Sequence, residues 1–345
     1  MRRLKRLDWS ERNHRELERL LAAVRPGDIA VFDWDNTCAF NDIGEALLRR
    51  LAFGLEFRAP AAALAATLPD RVNGTGRLTL GSRRHPLARI RDEVFSALDR
   101  LQRRPVAEED DRSRKDYRVF TSGLLALNRA LEQTPGIGCS FAYPWVNTLL
   151  QGFSPGELDR VASQVAEREG RVPLRRRAVL DPASRWRYDW IDGVRLYPEM
   201  RDLAAAWLAR GGEVVVSSAS NRRLVERTIA VSGFPCRRVI GMELALAGGR
   251  FAARTLAGTA TNLGAGKVAN IRRLLAREPL LAAGDSSNDY EMLTAFPATR
   301  LRLVIDRRAR GLIRELVCRA RAGEAGFLAQ EIDPRRGAFR AAGSG

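Results

Sequence analysis

The sequence predicts an α/β fold in which helices cover a parallel sheet and a large, mostly helical segment is inserted near the start of the sheet domain. In the second half of the chain, short apolar runs alternate with helical patterns, which is typical of a parallel sheet covered on both faces. A similar apolar run at 28–32 precedes a long stretch with helical patches and few strand signals. We therefore expect a sheet domain at 1–40 and 195–322, a helical cap domain at 41–194 and a weakly ordered tail at 323–345.

The individual elements follow from apolar spacing and from cap residues. Residues 9–24 have the spacing of an amphipathic helix with Ser10 as its N-cap, and residues 42–55 also have helical spacing. The Gly248-Gly249 turn indicates a hairpin. We expect strands at 28–32, 213–216, 238–240, 279–283 and 301–305, and helices at 198–209, 221–231, 267–277 and 288–295.

The composition is that of a globular protein, with 45% hydrophobic and 29% charged residues in a chain of 345. No apolar run reaches the roughly 18 residues of a membrane span. The basic start is not followed by the apolar region of a secretory signal, so we expect a cytoplasmic protein. Four scattered cysteines and two histidines do not favour a zinc site, a disulfide framework or a Ser-His-Asp triad.

The net charge of +17 does not by itself indicate a nucleic-acid partner. The arginines are spread along the whole chain and do not form one basic stripe with interleaved aromatic residues. A drift of composition toward arginine explains the charge about as well as a polyanion does. We do not expect nucleic acid as a partner, although a non-catalytic module that binds nucleic acid remains an alternative. The sequence predicts no oligomeric state.

Polar side chains follow three of the expected strands at the point where each strand ends. These are Asp33, Ser217 with Ser218, and Asp285. Because ligands of such sheets bind at the carboxyl ends of the strands, we expect these side chains to form an active site at one edge.

These residue types suit phosphoryl transfer. A carboxylate such as Asp33 can act as a nucleophile, and Asp35, two residues further on, can act as general acid and then as base. Asp33 and Asp285 supply the hard oxygen ligands that Mg²⁺ prefers. Ser218 can donate a hydrogen bond, and Lys267 a positive charge, to the transferred phosphoryl group.

Each signal also has an ordinary structural explanation. The Asp33 and Asp35 pair and the segment 284–289 could be turns or helix caps, and serines 217–220 could cap the next helix. A lysine is usually a solvated surface residue, but Lys267 is one of only three lysines in an arginine-rich chain. Their occurrence together, in this order, favours a catalytic site.

The four segments resemble the motifs of the haloacid dehalogenase (HAD) superfamily, in its phosphoserine-phosphatase-like branch. The first motif, D-x-D-x-T after an apolar strand, is matched by Ala30–Thr37, and the second by Val214–Ser218. The lysine of the third motif is matched by Lys267, and the G-D-S-x-x-D of the fourth by Gly284–Asp289. The resemblance implies a Rossmann-like core and a magnesium-dependent phosphatase that passes through an aspartyl-phosphate.

The resemblance also implies roles for individual residues. Mg²⁺ would be bound by Asp33, Asp285 and the backbone carbonyl of Asp35, while Asp289 would orient Lys267 or a metal-bound water. Ser218, Ala219 and Lys267 would bind the phosphate. Because dehalogenases and phosphonate hydrolases of the family generally lack the second aspartate, Asp35 favours phosphate-ester chemistry. The long segment between the first two motifs resembles the helical C1 cap, a lid that would exclude water.

The inserted segment suggests a small phosphorylated metabolite with a cationic head, such as phosphocholine or phosphoethanolamine. Asp42 and Glu45 follow the first motif, and acids beside aromatic faces are how proteins hold quaternary ammonium groups. The D-W-D-N-T motif and residues 141–157 resemble bacterial phosphorylcholine phosphatases, in which Glu45 would have a choline-binding counterpart. Three alternatives remain. The aromatic residues could belong to the core of the inserted segment, the substrate could be phosphoserine, or the phosphoryl group could pass to an acceptor other than water. The aromatic residues are Phe141, Tyr143, Trp145, Trp186, Tyr188 and Trp190. Of these, we expect Tyr143 and Trp145 to bind the substrate together with Asp42 and Glu45.

Overall fold

The computed structural model describes residues 2–80, 83–103 and 111–340. Its strands are β1 (Ile29–Phe32), β2 (Ala39–Phe40), β3 (Arg77–Leu80), β4 (Arg83–Pro86), β5 (Arg175–Leu180), β6 (Arg187–Asp192), β7 (Arg195–Leu196), β8 (Glu213–Asn221), β9 (Arg238–Met242), β10 (Leu244–Ala247), β11 (Arg250–Thr255), β12 (Pro279–Gly284), β13 (Leu301–Asp306), β14 (Phe327–Asp333) and β15 (Ala338–Phe339). Its helices are α1 (Glu11–Ala22), α2 (Ile43–Gly54), α3 (Ala61–Ala65), α4 (Leu87–Gln102), α5 (Asp111–Gln133), α6 (Cys139–Thr148), α7 (Pro155–Arg171), α8 (Pro198–Leu208), α9 (Arg222–Ser232), α10 (Ala265–Leu274), α11 (Tyr290–Thr294) and α12 (Ile313–Arg321), with a 3₁₀ turn at Ser287–Asp289.

A seven-stranded sheet organises the fold, in the order β15-β14-β13-β12-β1-β8-β9. Every pairing in it is parallel except that of β15 with β14. The short strand β1 lies between β12 and β8, and all four of its residues are buried. The prediction of an α/β fold with a Rossmann-like parallel sheet is confirmed.

Alternate residues of the sheet serve different cores, as expected when both faces are covered. On one face, Val31 and Val215 pack with Ile271 of α10 and Met292 of α11. On the other face, Phe32 and its neighbours belong to the main core, which continues into the inserted segment. β1 and β12 are therefore apolar throughout, and polar residues begin where these two strands end.

The predicted tail from residue 323 is wrong for the described residues up to 340. β14 pairs in parallel with β13, and β15 returns antiparallel to it. Phe339 is fully buried and packs its ring 5.1 Å from Trp9 and 4.6 Å from Tyr197, measured between ring centroids. Glycine and arginine pairs in this region form the turns between strands, which is why the composition suggested weak order. Residues 341–345 lie outside the described residues.

The long segment between β2 and β7 is mostly helical, as predicted, and contains α2 to α7. It also contains two hairpins, β3 with β4 and β5 with β6, which the sequence did not indicate. β5 begins with three arginines and is largely exposed, so it lacks the alternating apolar pattern of a half-buried strand. β2 and β7 pair where the chain leaves and re-enters the sheet region. The division into two domains stays a prediction.

In the described part of the chain, no helix combines the length and the apolar character that crossing a bilayer requires.

Candidate active site

The register of the central strands brings the first two motifs and the fourth to the same edge. Phe32 is the partner of Val216 in β8 and of Ala283 in β12. The polar residues that follow, Asp33, Ser217 and Asp285, therefore lie together at that edge. β8 continues to Asn221, whose side chain accepts a hydrogen bond from the backbone of Arg223 and so caps α9. The serines before it are therefore not required as the cap.

Lys267 joins two of these motifs through its ammonium group. Its Nζ donates to Asp33 Oδ1 and to Asp289 Oδ1, at 2.6 Å in each case, and all three side chains are buried. Burial lowers the pKa of Lys267, but the charges of Asp289 and Asp33 raise it further, so the net shift is upward. The lysine is thus held as a cation inside the protein.

Two close approaches place these side chains. A Cβ atom at Gly266 would overlap the backbone carbonyl oxygen of Thr261, so only glycine fits one residue before Lys267. A Cβ at Gly284 would lie 2.5 Å from Cβ of Asp289. Asp289 also accepts hydrogen bonds from the backbone N–H groups of Asp285 and Ser286, both at 3.1 Å. Close packing therefore explains why glycine occupies these positions of the third and fourth motifs.

Asp33, Asp285 and Asp289 form the first carboxylate cluster, in which one oxygen of each residue lies within 4.8 Å of the others. Arg307 donates through Nε to Asp285 Oδ2, and Thr37 donates to Oδ1 of the same residue at 3.3 Å. Burial, and then the charge of Asp289, raise the pKa of Asp33 well above its ordinary value. Burial likewise raises the pKa of Asp285 to about 6, against the influence of Arg307.

Asp35 lies outside this cluster and is oriented by its own contacts. Its Oδ1 accepts from the backbone N–H of Ile43 at 2.7 Å, and its Oδ2 accepts from Ser220 Oγ at 2.9 Å and Ser218 Oγ at 3.4 Å. Burial, followed by the charges of Asp42 and Asp33, raises the pKa of Asp35 well above its ordinary value. Burial outweighs the hydrogen bonds that Asp35 accepts, so its carboxyl group favours the protonated form, as a general acid requires.

A cavity of about 620 Å³, here called the catalytic cavity, opens over this edge of the sheet. Asp33, Asp35, Ala219 and Lys267 line its floor, together with Asp285. Its opposite wall comes from α2, α5 and α6 of the inserted segment. A space of this size between the two parts can hold a small metabolite.

Three acids of the inserted segment meet in the catalytic cavity and form the second carboxylate cluster, Asp42, Glu45 and Glu132. Asp42 caps α2 by accepting from the backbone N–H of Glu45 at 2.8 Å. Glu45 Oε1 accepts from Arg129 at 3.0 Å, and its Oε2 accepts from the hydroxyl of Tyr188 at 2.8 Å. Burial, and next the charge of Glu45, raise the pKa of Glu132 to about 8 and that of Asp42 to about 6.

The aromatic residues of the inserted segment do not form one group at the catalytic cavity. Tyr143 lines the catalytic cavity as predicted, but Trp145 does not; it is buried and donates its indole N–H to Thr67 Oγ1 at 3.0 Å. The prediction of Trp145 as a substrate-binding residue is therefore wrong, since α6 directs it into the core on the side away from the cavity. Trp186 is also buried, and Trp190 lines a different cavity.

A family model described as haloacid dehalogenase-like hydrolase matches residues 142–294. These residues include Ser218, Lys267 and Asp285, which the fold brings against Asp33 at the end of β1. This match to residues 142–294 supports the predictions of this superfamily and of a hydrolase.

One of the similar solved structures shares the fold over nearly its whole length. A conserved protein of unknown function from Anaerococcus prevotii is 23% identical, with a TM-score of 0.84 over 98% of this chain and 97% of that one. A protein of unknown function from Bordetella pertussis is 17% identical, with a TM-score of 0.49 over 90% of this chain and 99% of that one. A substrate-bound phosphoserine phosphatase is 12% identical, with a TM-score of 0.39 over 85% and 91%. No curated protein matches the sequence.

The first carboxylate cluster suits Mg²⁺. Its donors are hard carboxylate oxygens, and Mg²⁺ is commonly held by one or two carboxylates together with waters. Three buried carboxylates face two cations, Lys267 and Arg307, so a further positive charge would relieve the repulsion between the carboxylates. Asp33 and Asp285 would hold the ion, and a contribution from the Asp35 carbonyl stays a prediction.

Sequence reasoning missed several residues of the site. Arg307 follows β13 at the same edge as the motifs, and that position could have identified it. Asn262 donates to Ser217 Oγ at 3.1 Å and to the carbonyl of Ser218 at 2.8 Å, which fixes the second motif. Arg129 carries no sequence signal, because its partner Glu45 lies far away in the chain.

Proposed function

We propose that this protein hydrolyses a small phosphomonoester through a phosphoryl group carried transiently on Asp33. The observation that supports it most is the placement of the Asp33 carboxylate at the end of β1. There it contacts the buried ammonium of Lys267 and lies beside Asp285 at the floor of the catalytic cavity. Phosphoryl transfer needs a positioned nucleophile and fixed positive charge, and both are present.

The proposed first step forms a bond between an Asp33 carboxylate oxygen and phosphorus while the bond from phosphorus to the ester oxygen breaks. Asp35 gives its proton to the departing alcohol. In the second step Asp35 takes a proton from water, the water oxygen bonds to phosphorus, and the bond to Asp33 breaks. Lys267 and the backbone after Ser218 stabilise the negative charge on the phosphoryl oxygens. Mg²⁺, when bound, would supply further charge neutralisation at the same oxygens.

The second carboxylate cluster favours a substrate whose other end carries an ammonium group. Arg129 pairs with Glu45 at 3.0 Å and with Glu132 at 3.9 Å. Burial, followed by repulsion from Glu45, raises the pKa values of Asp42 and Glu132. A substrate cation would relieve that repulsion. Because Tyr143 is the one member of the predicted aromatic set that lines the cavity, an N–H-donating ammonium fits better than a quaternary one. Phosphoethanolamine represents this class of substrate. The cytoplasmic location is a separate prediction from the sequence.

A substrate comparison tests both parts of the proposal. Purified protein with Mg²⁺ is assayed for phosphate release from phosphoethanolamine, phosphocholine, phosphoserine and a neutral alkyl phosphate. We expect the ammonium-bearing esters to have a kcat/KM at least about tenfold above the neutral one, the gain expected of one charge-assisted contact. Hydrolysis with equal kcat/KM for all four would contradict the ammonium site but leave the phosphatase proposal standing. No release from any phosphomonoester would contradict the phosphatase itself.

Asp33→Asn provides the matched control because it keeps the shape of the side chain and removes its nucleophilic charge. We expect its rate to fall at least about a thousandfold, as for the loss of a covalent nucleophile. An Asp33→Asn protein that folds normally and still hydrolyses the preferred ester at the original rate would contradict the proposed step.

A further inference from the structure

A second cavity, of about 530 Å³, lies on the other side of α2 from the catalytic cavity. It is lined by α2, α7, β5 and β6. Glu45, Leu48 and Leu51 of α2 face the catalytic cavity, whereas Arg49 and Phe53 face the second one. The spacing follows the helical period, so α2 is a single wall between two cavities.

The second cavity has more hydrogen-bond donors than acceptors. Four arginines and two acids line it, and each acid is already bonded. Glu169 accepts from Arg168 and from the backbone N–H of Gly193, the latter at 2.8 Å. Asp192 accepts from Trp190 at 2.6 Å and from Arg177 at 3.1 Å. The excess of positive charge and of free donors would suit a ligand rich in acceptors.

Arg49 is the donor that most needs such a ligand. The residue is only 6% exposed, yet its guanidinium makes no hydrogen bond to the described residues. Its ion pairs are long, at 3.6 Å to Glu45 and 4.0 Å to Glu169. A guanidinium has five N–H groups, and leaving them unbonded in a buried position is costly. An anion in the second cavity would satisfy them.

We propose that the second cavity binds a small oxyanion with two negative charges, such as a phosphate or a dicarboxylate. Arg49 contacts the anion with its planar guanidinium, which matches the geometry of such oxygens. Arg177, which pairs with Asp192 at 3.1 Å, and Arg50, which pairs with Glu56 at 2.8 Å, are half-exposed at the rim and can turn toward the anion. This site is separate from the proposed catalytic chemistry and does not depend on it.

The second cavity is also connected to the catalytic cavity through side chains. Arg49 reaches Glu45, which bonds Tyr188, and the ring of Tyr188 stacks on Trp190 with centroids 5.7 Å apart. The guanidinium of Arg49 lies 5.8 Å from the centroid of the Trp190 ring, so Arg49, Glu45, Tyr188 and Trp190 form a closed ring of contacts. An anion that draws Arg49 away from Glu45 leaves Glu45 more negative toward the catalytic cavity. Binding at the two cavities is therefore coupled, and the coupling acts in both directions.

The binding test uses the full chain without metal and inorganic phosphate as probe, measured by titration calorimetry. Metal-free conditions suppress phosphate binding at the first carboxylate cluster, which is itself negatively charged. We expect one phosphate to bind the wild type, and Arg49→Gln to weaken that binding at least about tenfold. Malonate serves as a second probe that separates a dicarboxylate from a phosphate ligand. Arg160→Gln, which removes the same charge from an exposed position of α7, is the control and should bind phosphate like the wild type.

Arg177→Gln keeps the test decisive if Arg49→Gln does not fold, because the Arg177 side chain is 54% exposed and its loss removes little packing. We expect it to weaken phosphate binding several-fold, with an unchanged thermal unfolding midpoint. If neither probe binds the wild type, or if both arginine variants bind as tightly as Arg160→Gln, the proposed site is wrong. Phosphatase activity does not enter this readout, so the two proposals can fail independently.

Discussion

Two carboxylate clusters face each other across the catalytic cavity, and they are built in different ways. Asp33, Asp285 and Asp289 follow neighbouring strands of the sheet, and close backbone approaches at Gly266 and Gly284 fix their positions. Asp42, Glu45 and Glu132 belong to the inserted segment. Arg129 and Tyr188 donate to Glu45, Asn128 donates to Glu132, and Asp42 caps α2.

The comparison suggests a division of labour between the clusters. Chemistry that must hold reacting atoms within a fraction of an ångström is best placed on strand ends of a rigid sheet. Recognition of a variable substrate group can be placed on helices of an insertion, where one substitution changes a contact without disturbing the sheet. The following predictions separate these two roles.

Removing one positively charged side chain from each cluster should have the largest and most distinct effects. Lys267→Met takes fixed charge from the transferring phosphoryl group, so we expect kcat to fall about a thousandfold. Arg129→Met changes how Glu45 is held, so we expect mainly KM to change, by about tenfold. Steady-state kinetics on folded variants measures both. A kcat loss for Arg129→Met as large as that for Lys267→Met would show that the clusters do not divide the work.

Magnesium should stabilise the protein through the first cluster only. At a free Mg²⁺ concentration 100 times its Kd, bound ion adds about 2.7 kcal/mol to the free energy of unfolding. We expect Asp285→Asn to lose this stabilisation and Asp42→Asn to keep it. Thermal unfolding with Mg²⁺ and with a chelator measures the difference. Equal stabilisation of both variants would place the ion elsewhere.

The second cluster should give the protein a distinct dependence of stability on pH. Since burial and the charge of Glu45 raise the pKa of Glu132 from 4.5 to about 8, the folded protein keeps a proton that the unfolded chain releases. The contribution of Glu132 to stability is therefore present below about pH 4.5 and is lost as pH rises toward 8.

Glu132→Gln removes this titration. We expect the variant and the wild type to unfold alike at low pH, and the variant to be more stable at high pH by on the order of 1–3 kcal/mol. Thermal unfolding across the pH range measures it, with Glu167→Gln on the exposed face of α7 as the control. Parallel pH profiles for Glu132→Gln and the wild type would contradict the account.

The smallest expected effects distinguish the two aromatic residues of α6. Tyr143 lines the catalytic cavity, so Tyr143→Phe should raise KM a few-fold by removing a hydroxyl. Trp145→Phe should leave KM unchanged but lower the free energy of unfolding by about 1–3 kcal/mol, because it removes a buried hydrogen bond and packing. A change of KM for Trp145→Phe alone would contradict the assigned positions.

How much the sequence predicted follows the same contrast. Asp33, Ser218 and Asp285 are predictable because strand ends are local signals, and parallel register brings them together. Lys267 is predictable because lysine is rare in this arginine-rich chain. The contacts of Glu45 could not be found, because packing of distant helices and a hairpin determines them. Trp145 was misjudged for the same reason, since the composition of a segment does not show which face of a helix meets the cavity.

The C-terminal strands teach a related lesson. Glycine and arginine near Gly323 and Gly337 suggested weak order, yet these residues form turns on either side of β14. The apolar residues Phe327, Leu328 and Ile332 of β14 are buried. Glycine and arginine at the turns therefore do not indicate weak order when the residues between the turns are apolar and buried.

The most direct test of the central claim is to trap the phosphoryl group on Asp33. In Asp35→Asn, an aryl phosphate with a good leaving group should still phosphorylate the protein, because its departure needs no proton, while the loss of the base slows hydrolysis. Rapid acid quenching and peptide mass spectrometry should then find one phosphoryl group on the peptide that contains Asp33. A phosphoryl group on another residue, or an unmodified protein that nevertheless turns the ester over, would contradict the account.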